Sequence, residues 1–136
     1  MHTAALDAPL PTVLVVDDDA FTRDYVRELL VSCGITQVQT ATNGRDALTL
    51  LSRRNEAPDY LICDVFMPEM DGFEFLEHLG EQHYPGKVIL MSGGNNSMLG
   101  LASDVALHYG IQLTGFFTKP LAQHSLVRAM GSGAPA

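Results

Sequence analysis

The stretch Tyr60-Leu61-Ile62-Cys63-Asp64-Val65-Phe66-Met67-Pro68-Glu69-Met70-Asp71-Gly72 begins as an unbroken apolar run, delivers one carboxylate and then dissolves into turn residues. A strand buried on both faces reads as such a run, and the carboxyl ends of the strands are where an open α/β sheet binds its ligands. Asp64 falls at that end. An unpaired buried carboxylate is costly, so an ion or a reaction is the expected reason for its presence. Further apolar runs end on groups that could share the place: Val13-Leu14-Val15-Val16 on Asp17 and Asp18, Val88-Ile89-Leu90-Met91 on Ser92, and Phe116-Phe117-Thr118 on Lys119. As neighbouring parallel strands, these runs would bring carboxylates, a hydroxyl and an ammonium to one sheet edge.

The segments between the runs carry helical spacing. Periodicity predicts strands over 13–16, 37–41, 60–63, 87–91 and 113–118, alternating with helices over 20–32, 45–54, 73–82, 98–109 and 121–130. Asp19 is placed to cap the first helix, whose apolar positions are Phe21, Tyr25, Leu29 and Leu30, and Gly34 terminates it. Asp71-Gly72 reads as a turn before the third helix, with Phe73, Leu76 and Leu79 inward and Glu74, Glu77 and Glu81 outward. Asn96 or Ser97 would cap the fourth. This alternation implies an α/β fold: a five-stranded parallel sheet with right-handed crossovers and helices on both faces. Residues 1–11 read as a flexible leader, 12–130 as one domain and 131–136 as a tail or linker.

The totals narrow the function. At 136 residues, 46% of them apolar and 18% charged, the chain can bury a real core and is not of disordered composition. Its net charge of −8, with only eight Lys and Arg, disfavours direct contact with nucleic acid or an anionic membrane. Cys33 falls at a helix end and Cys63 in a buried strand, which reads as free thiols in a reducing cytoplasm rather than a disulfide. No signal peptide or membrane-spanning run is legible. The histidines, His2, His78, His83, His108 and His124, lack metal-ligand spacing and read as surface residues. Cys63, one residue before Asp64, should point to the opposite face of the sheet.

In order and at close to the family's spacings, Asp17-Asp18, Asp64 with Met67-Pro68-Glu69-Met70-Asp71-Gly72, Ser92-Gly93 and Lys119-Pro120 resemble the receiver domain of bacterial two-component response regulators. The resemblance runs from about Val13 to Met130 and implies the flavodoxin-like strand order 2-1-3-4-5. It implies a Mg²⁺ site with direct contacts from Asp18, Asp64 and the backbone carbonyl of Phe66, and with Asp17 holding a metal-bound water; hard oxygen donors suit that ion. It further implies that Asp64 is the phosphoacceptor, taking a phosphoryl group from a phosphohistidine of a histidine kinase or histidine phosphotransferase. Lys119 and Ser92 would meet the phosphoryl oxygens, and Gly93 would leave room for them. Phe116, three residues before Lys119, occupies the family's switch-aromatic position on the face made by helix four, strand five and helix five. The protein would then be a signalling phosphoacceptor rather than an enzyme, presenting that face to a downstream protein, with homodimerisation through it left open.

Two departures stand out. Phe66 places bulk near the path of an attacking water, which predicts slow loss of the phosphoryl group, and the interval from Ser92 to Lys119 is a few residues longer than in chemotaxis-type receivers. The longer interval is similar to that of receivers attached to cyclic-di-GMP phosphodiesterase modules. Two rival readings stay open at this level. One is a haloacid-dehalogenase-like phosphatase with Asp17 as nucleophile, although Phe21 stands where that family has Thr or Val. The other is a degenerate receiver that binds without phosphotransfer, although all the expected positions are filled.

Overall fold

The computed structural model describes residues 10–53, 57–94 and 98–131. In chain order the elements are β1 Val13–Val16, α1 Ala20–Ser32, β2 Val38–Ala41, α2 Gly44–Arg53, β3 Tyr60–Asp64, α3 Gly72–Glu81, β4 Lys87–Ser92, α4 Leu99–His108, β5 Gln112–Thr118 and α5 Gln123–Met130. The strands form one sheet in the order β2-β1-β3-β4-β5, every pairing parallel. The expected α/β architecture and strand order are therefore both present.

The apolar runs explain the layering. Successive residues of a strand face opposite ways, and in a doubly covered sheet both sets must be buried. Leu14, Val16, Leu61, Cys63, Val88 and Leu90 join Phe75, Leu76 and Leu79 of α3 and Ala102 and Ala106 of α4 in one core. Val13, Val15, Ile62, Ile89 and Met91 join Val26 and Leu30 of α1 and Leu126, Ala129 and Met130 of α5 in the other. Strand β3 is buried along its whole length and lies between β1 and β4. Cys63 and Cys33 lie in different cores, both as buried free thiols, which rules out a bond between them.

Several details differ from the sequence expectation. Helix α3 begins at Gly72 with Asp71 as its N-cap, the Asp71 carboxylate accepting from Glu74 N at 2.8 Å. The glycine is there for proximity rather than for a turn, since a Cβ would lie 2.9 Å from the Val65 Cα. The fully buried ring is Phe75, which packs with Leu76 and Leu79, while Phe73 is half-buried at the margin of the same core. On α1 the buried positions are Val26 and Leu30, and Phe21 is 77% exposed instead of facing the core. The expected caps Asn96 and Ser97 lie outside the described residues, as do His2, most of the leader and most of the tail. Pro11, assigned to the leader, is buried, and Thr12 N donates to Asp59 Oδ2 at 2.9 Å. Strand β5 carries a bulge opposite Val88 and Ile89, because Leu113 pairs with the first and Gly115 with the second.

Candidate functional site

The site forms where β1, β3, β4 and β5 end side by side. Register brings this about: Val16 pairs with Cys63, Asp64 with Met91 and Ser92 with Thr118, so Asp17, Asp64, Ser92 and Lys119 all fall at the same edge. Asp17 is fully buried, Asp64 is 4% exposed and Ser92 is 1% exposed. The loops hold these groups through their own backbone amides. Asp17 Oδ1 accepts from Asp19 N at 2.9 Å, Asp64 Oδ1 from Phe66 N at 3.2 Å, and Ser92 Oγ from Gly94 N at 3.3 Å. Asp18, in contrast, is exposed.

Lys119 joins the carboxylates. Its ammonium donates to Asp64 Oδ2 at 3.1 Å and stands 2.7 Å from Asp17 Oδ2. Asp17 Oδ2 is buried and makes no contact of hydrogen-bond geometry, so its bond to Lys119 is an ion pair of poor angle. The backbone of the lysine is tied to β4, since Lys119 N donates to Ser92 O at 2.8 Å; the Lys119-Pro120 peptide is cis. Burial works against the charged ammonium, but the bonds to Asp17 and Asp64 override it and carry the Lys119 pKa above its ordinary value. Burial pushes the Asp64 carboxyl up, and the Asp17 charge adds to this. Lys119 offsets the two only in part. The Cys63 thiol is driven well up by burial and by the charges of Asp64 and Asp17, which leaves it inert.

Asp17, Asp18 and Asp64 each offer an oxygen, all within 4.8 Å of one another. Like charges at that spacing repel unless a cation joins them, and a set of hard oxygens fits a divalent ion such as Mg²⁺. The under-used Asp17 Oδ2 adds to the fit. Phe66 is 55% exposed beside the site. Phe116 pairs with Leu90, is half-buried, and packs against the α3 and α4 core, on the face that Ser92 shares by alternation. His78, His83, His108 and His124 are not part of any acidic or metal-ligating cluster among the described residues.

This geometry has a counterpart in known proteins. Residues 13–131 match the family model of the response regulator receiver domain. The chain belongs to that family. Receiver domains are phosphoacceptor modules of two-component signalling that carry an acidic pocket for Mg²⁺. The chain is 46% identical over 81 residues to the two-component response regulator ARR11 of Arabidopsis thaliana, an alignment covering 59% of this chain and 15% of that one. It is 34% identical over 88 residues to the chemotaxis protein CheY of Bacillus subtilis, covering 64% of this chain and 72% of that one. The chain spans half or less of the length of the first curated relatives it matches. Among solved structures, chemotaxis protein CheY4 of Vibrio cholerae superposes with a TM-score of 0.73 at 27% identity, covering 90% of this receiver and 97% of that chain. No helix among the described residues of the receiver is long and apolar enough to cross a membrane.

Sequence reasoning missed the residues of α1 that serve the site. The Arg23 guanidinium donates to Asp17 O at 2.7 Å, and the Tyr25 hydroxyl donates to Leu121 O at 2.8 Å. Phe21, Tyr25, Pro120 and Leu121 also line an apolar cleft of about 450 Å³ that reaches the side of Lys119. Only the proximity of α1 to Asp17 hinted at this. The partner of Tyr25 is 96 residues away in sequence.

Proposed function

We propose that this receiver takes a phosphoryl group from a phosphohistidine onto Asp64 in a Mg²⁺-dependent reaction and signals through the surface made by α4, β5 and α5. The observation that carries the reading is the Lys119 ammonium, shared at 2.7 and 3.1 Å between two buried carboxylates beside a buried Ser92. A cation held there by Asp17 and Asp64 is already aimed at the position where an incoming phosphoryl group adds negative charge.

An Asp64 carboxylate oxygen forms the new bond to phosphorus as the bond from phosphorus to the histidine nitrogen breaks, and the imidazole leaves with the electron pair. Lys119 turns from Asp64 to a phosphoryl oxygen, keeping Asp17 as its anchor. The Ser92 hydroxyl, released from Gly94 N, donates to a second oxygen. Asp18, Asp64 and the Phe66 carbonyl would hold Mg²⁺, with Asp17 reaching it through water, and the ion would supply charge neutralisation at the phosphoryl group. Movement of Ser92 clears space for Phe116 to turn inward and reshape the surface of α4, β5 and α5. That surface suits a protein target, because α4 exposes Leu99, Leu101 and Leu107. A histidine kinase or phosphotransferase would approach over α1, where the exposed Phe21 stands at the cleft beside Lys119. We take 12–130 as the signalling unit, with Pro11 packed onto it, and 131–136 as a tail or linker. We place it in the cytoplasm, in keeping with the free thiols of Cys33 and Cys63.

Incubation with Mg²⁺ and acetyl phosphate tests the reading. Intact mass spectrometry should show one phosphoryl group on the wild type, none on Asp64→Asn, and none when Mg²⁺ is chelated. No gain on the wild type would support the degenerate receiver, and a gain retained by Asp64→Asn but mapped to Asp17 would support the phosphatase-like rival. For the output, size-exclusion chromatography of the phosphorylated chain separates self-association from a surface kept for another protein.

A further inference from the structure

Lys119 has to stand at one height above the carboxylates, yet little of the local chain holds it there. Beyond β5, which ends at Thr118, the chain passes through Lys119, Pro120, Leu121 and Ala122 before α5 begins at Gln123, and the N-cap Ala122 has no side chain with which to cap. The backbone bond from Lys119 N to Ser92 O fixes the near end of this connection. The far end is held by α1, through the Tyr25 hydroxyl donating to the carbonyl of Leu121, whose side chain is 1% exposed. Helix α1 is in turn bound to the other side of the site. Asp19 N reaches Asp17 Oδ1 at 2.9 Å, and Arg23 reaches Asp17 O at 2.7 Å. One rigid helix thus grips both the carboxylate Lys119 leans on and the segment that follows Lys119.

We propose that Tyr25 is a positioning residue for phosphoryl capture: by holding the Leu121 carbonyl it sets Lys119 between Asp17 and Asp64. This rests on the reading of Asp64 as phosphoacceptor. Tyr25 touches neither the phosphoryl group nor the carboxylates and acts only through Lys119. Its neighbour one turn earlier, Phe21, lines the same cleft beside Lys119, so pressure on that cleft bears on the held segment. The hydroxyl is the part that matters, because the ring would pack against its surroundings equally well in phenylalanine.

The test is a pair of substitutions read together. Tyr25→Phe keeps the ring and removes the bond, and it should slow phosphorylation by acetyl phosphate about tenfold, since small misplacements of a charge-stabilising group are costly. In a Lys119→Met background the same substitution should leave the residual rate unchanged, because the group it serves is gone. A purely structural role would slow both backgrounds by the same factor, and that outcome overturns the proposal, as does an unchanged rate in the Lys119 chain. Amide hydrogen exchange on the unphosphorylated protein gives a second reading independent of the chemistry. The Lys119 amide should lose protection in Tyr25→Phe, while the Asp17 amide, bound to Ala41 O at 3.1 Å, keeps its own. Equal protection in both proteins overturns the proposal. Should the wild type itself take up no phosphate on Asp64, the functional reading fails, whereas loss of Lys119 protection would still report the structural link.

Discussion

Replacing Lys119 by Met removes the one cation that the described residues place between Asp17 and Asp64. At an effective dielectric constant of about 20, its gross attraction is about 6 kcal/mol to Asp17 at 2.7 Å and about 5 kcal/mol to Asp64 at 3.1 Å. Most of this is offset by the desolvation of the charges. What remains after the substitution is a pair of carboxylates within 4.8 Å, repelling by about 3 kcal/mol on the same scale. Removing one partner of a buried ion pair typically costs about 3–5 kcal/mol, and the 22% exposure of the Lys119 side chain argues for the lower end. The expected loss is therefore about 3 kcal/mol in metal-free buffer, which with a typical urea slope of about 2 kcal/mol per molar moves the midpoint by about 1.5 M. Mg²⁺ should narrow the difference between the two proteins. The ammonium competes for oxygens that the ion also needs, so Lys119→Met should bind Mg²⁺ more tightly than the wild type and recover stability as the ion is added, by about 2.7 kcal/mol at a hundredfold excess over its Kd. Urea denaturation with and without Mg²⁺ reads both effects. A metal-free loss below about 0.5 kcal/mol, the range of an ordinary surface substitution, would show that Lys119 does not neutralise this pair.

Other consequences can be read in parallel. Because the Asp64 pKa lies above its ordinary value of 3.8, its charged form opposes folding, so the stability of Asp64→Asn relative to the wild type should grow as pH rises from below 3.8 through the folded pKa and then level off; a pH-independent difference in denaturation would contradict this. Lys119 has the opposite sense, its raised pKa giving a contribution present at neutral pH and lost above 10.5, so the cost of Lys119→Met should shrink there. Phe66→Asn exchanges an apolar ring beside Asp64 for a group that can orient water, and the aspartyl phosphate should decay faster in it; equal lifetimes would remove the shielding argument. Gly115→Ala sets a methyl against the Phe117 ring and about 3.1 Å from the Ala129 Cβ, and should destabilise the chain by about 1–3 kcal/mol, read by its thermal midpoint.

What could be read in advance depended on how local the signal was. Strands β1, β3 and β4 were legible because a doubly buried parallel strand can be nothing but apolar, and each ends on a polar residue that stands out against it. Their order was legible only through the resemblance to receiver domains, and the observed parallel register then brings Asp17, Asp64, Ser92 and Lys119 to one edge. The face of α3 was legible through Leu76 and Leu79 but not through its aromatics, because Phe73 and Phe75 flank that stripe on either side and only the neighbouring elements decide which ring is buried. Phe21 was misread for a related reason: it sits at the first turn of α1, beyond the reach of the core that Val26 and Leu30 enter. The bulge near Gly115 and the bond from Tyr25 to Leu121 leave no periodic trace, since each depends on a partner brought alongside by the fold.

The two cores also divide the labour of the site. By alternation, Asp17, Asp64 and Lys119 share the strand face covered by α1 and α5, whereas Ser92 and Phe116 share the face covered by α3 and α4. The groups that bind charge and the groups that would report it are thus on opposite sides of one sheet, meeting only at its edge. A change at Asp64 can cross between them by few routes. The most direct one is the Lys119 amide bound to the Ser92 carbonyl at 2.8 Å, with the Ser92 hydroxyl and the Lys119 ammonium drawn toward the same phosphoryl group. A substitution that loosens the β4 to β5 edge near Ser92 should therefore weaken the response of the α4 surface more than it weakens phosphoryl capture, whereas one that loosens α1 should do the reverse. Phosphorylation rate and chemical-shift change on α4, measured on the same variants, would separate the two; proportional losses in both would mean that capture and response are a single rigid event.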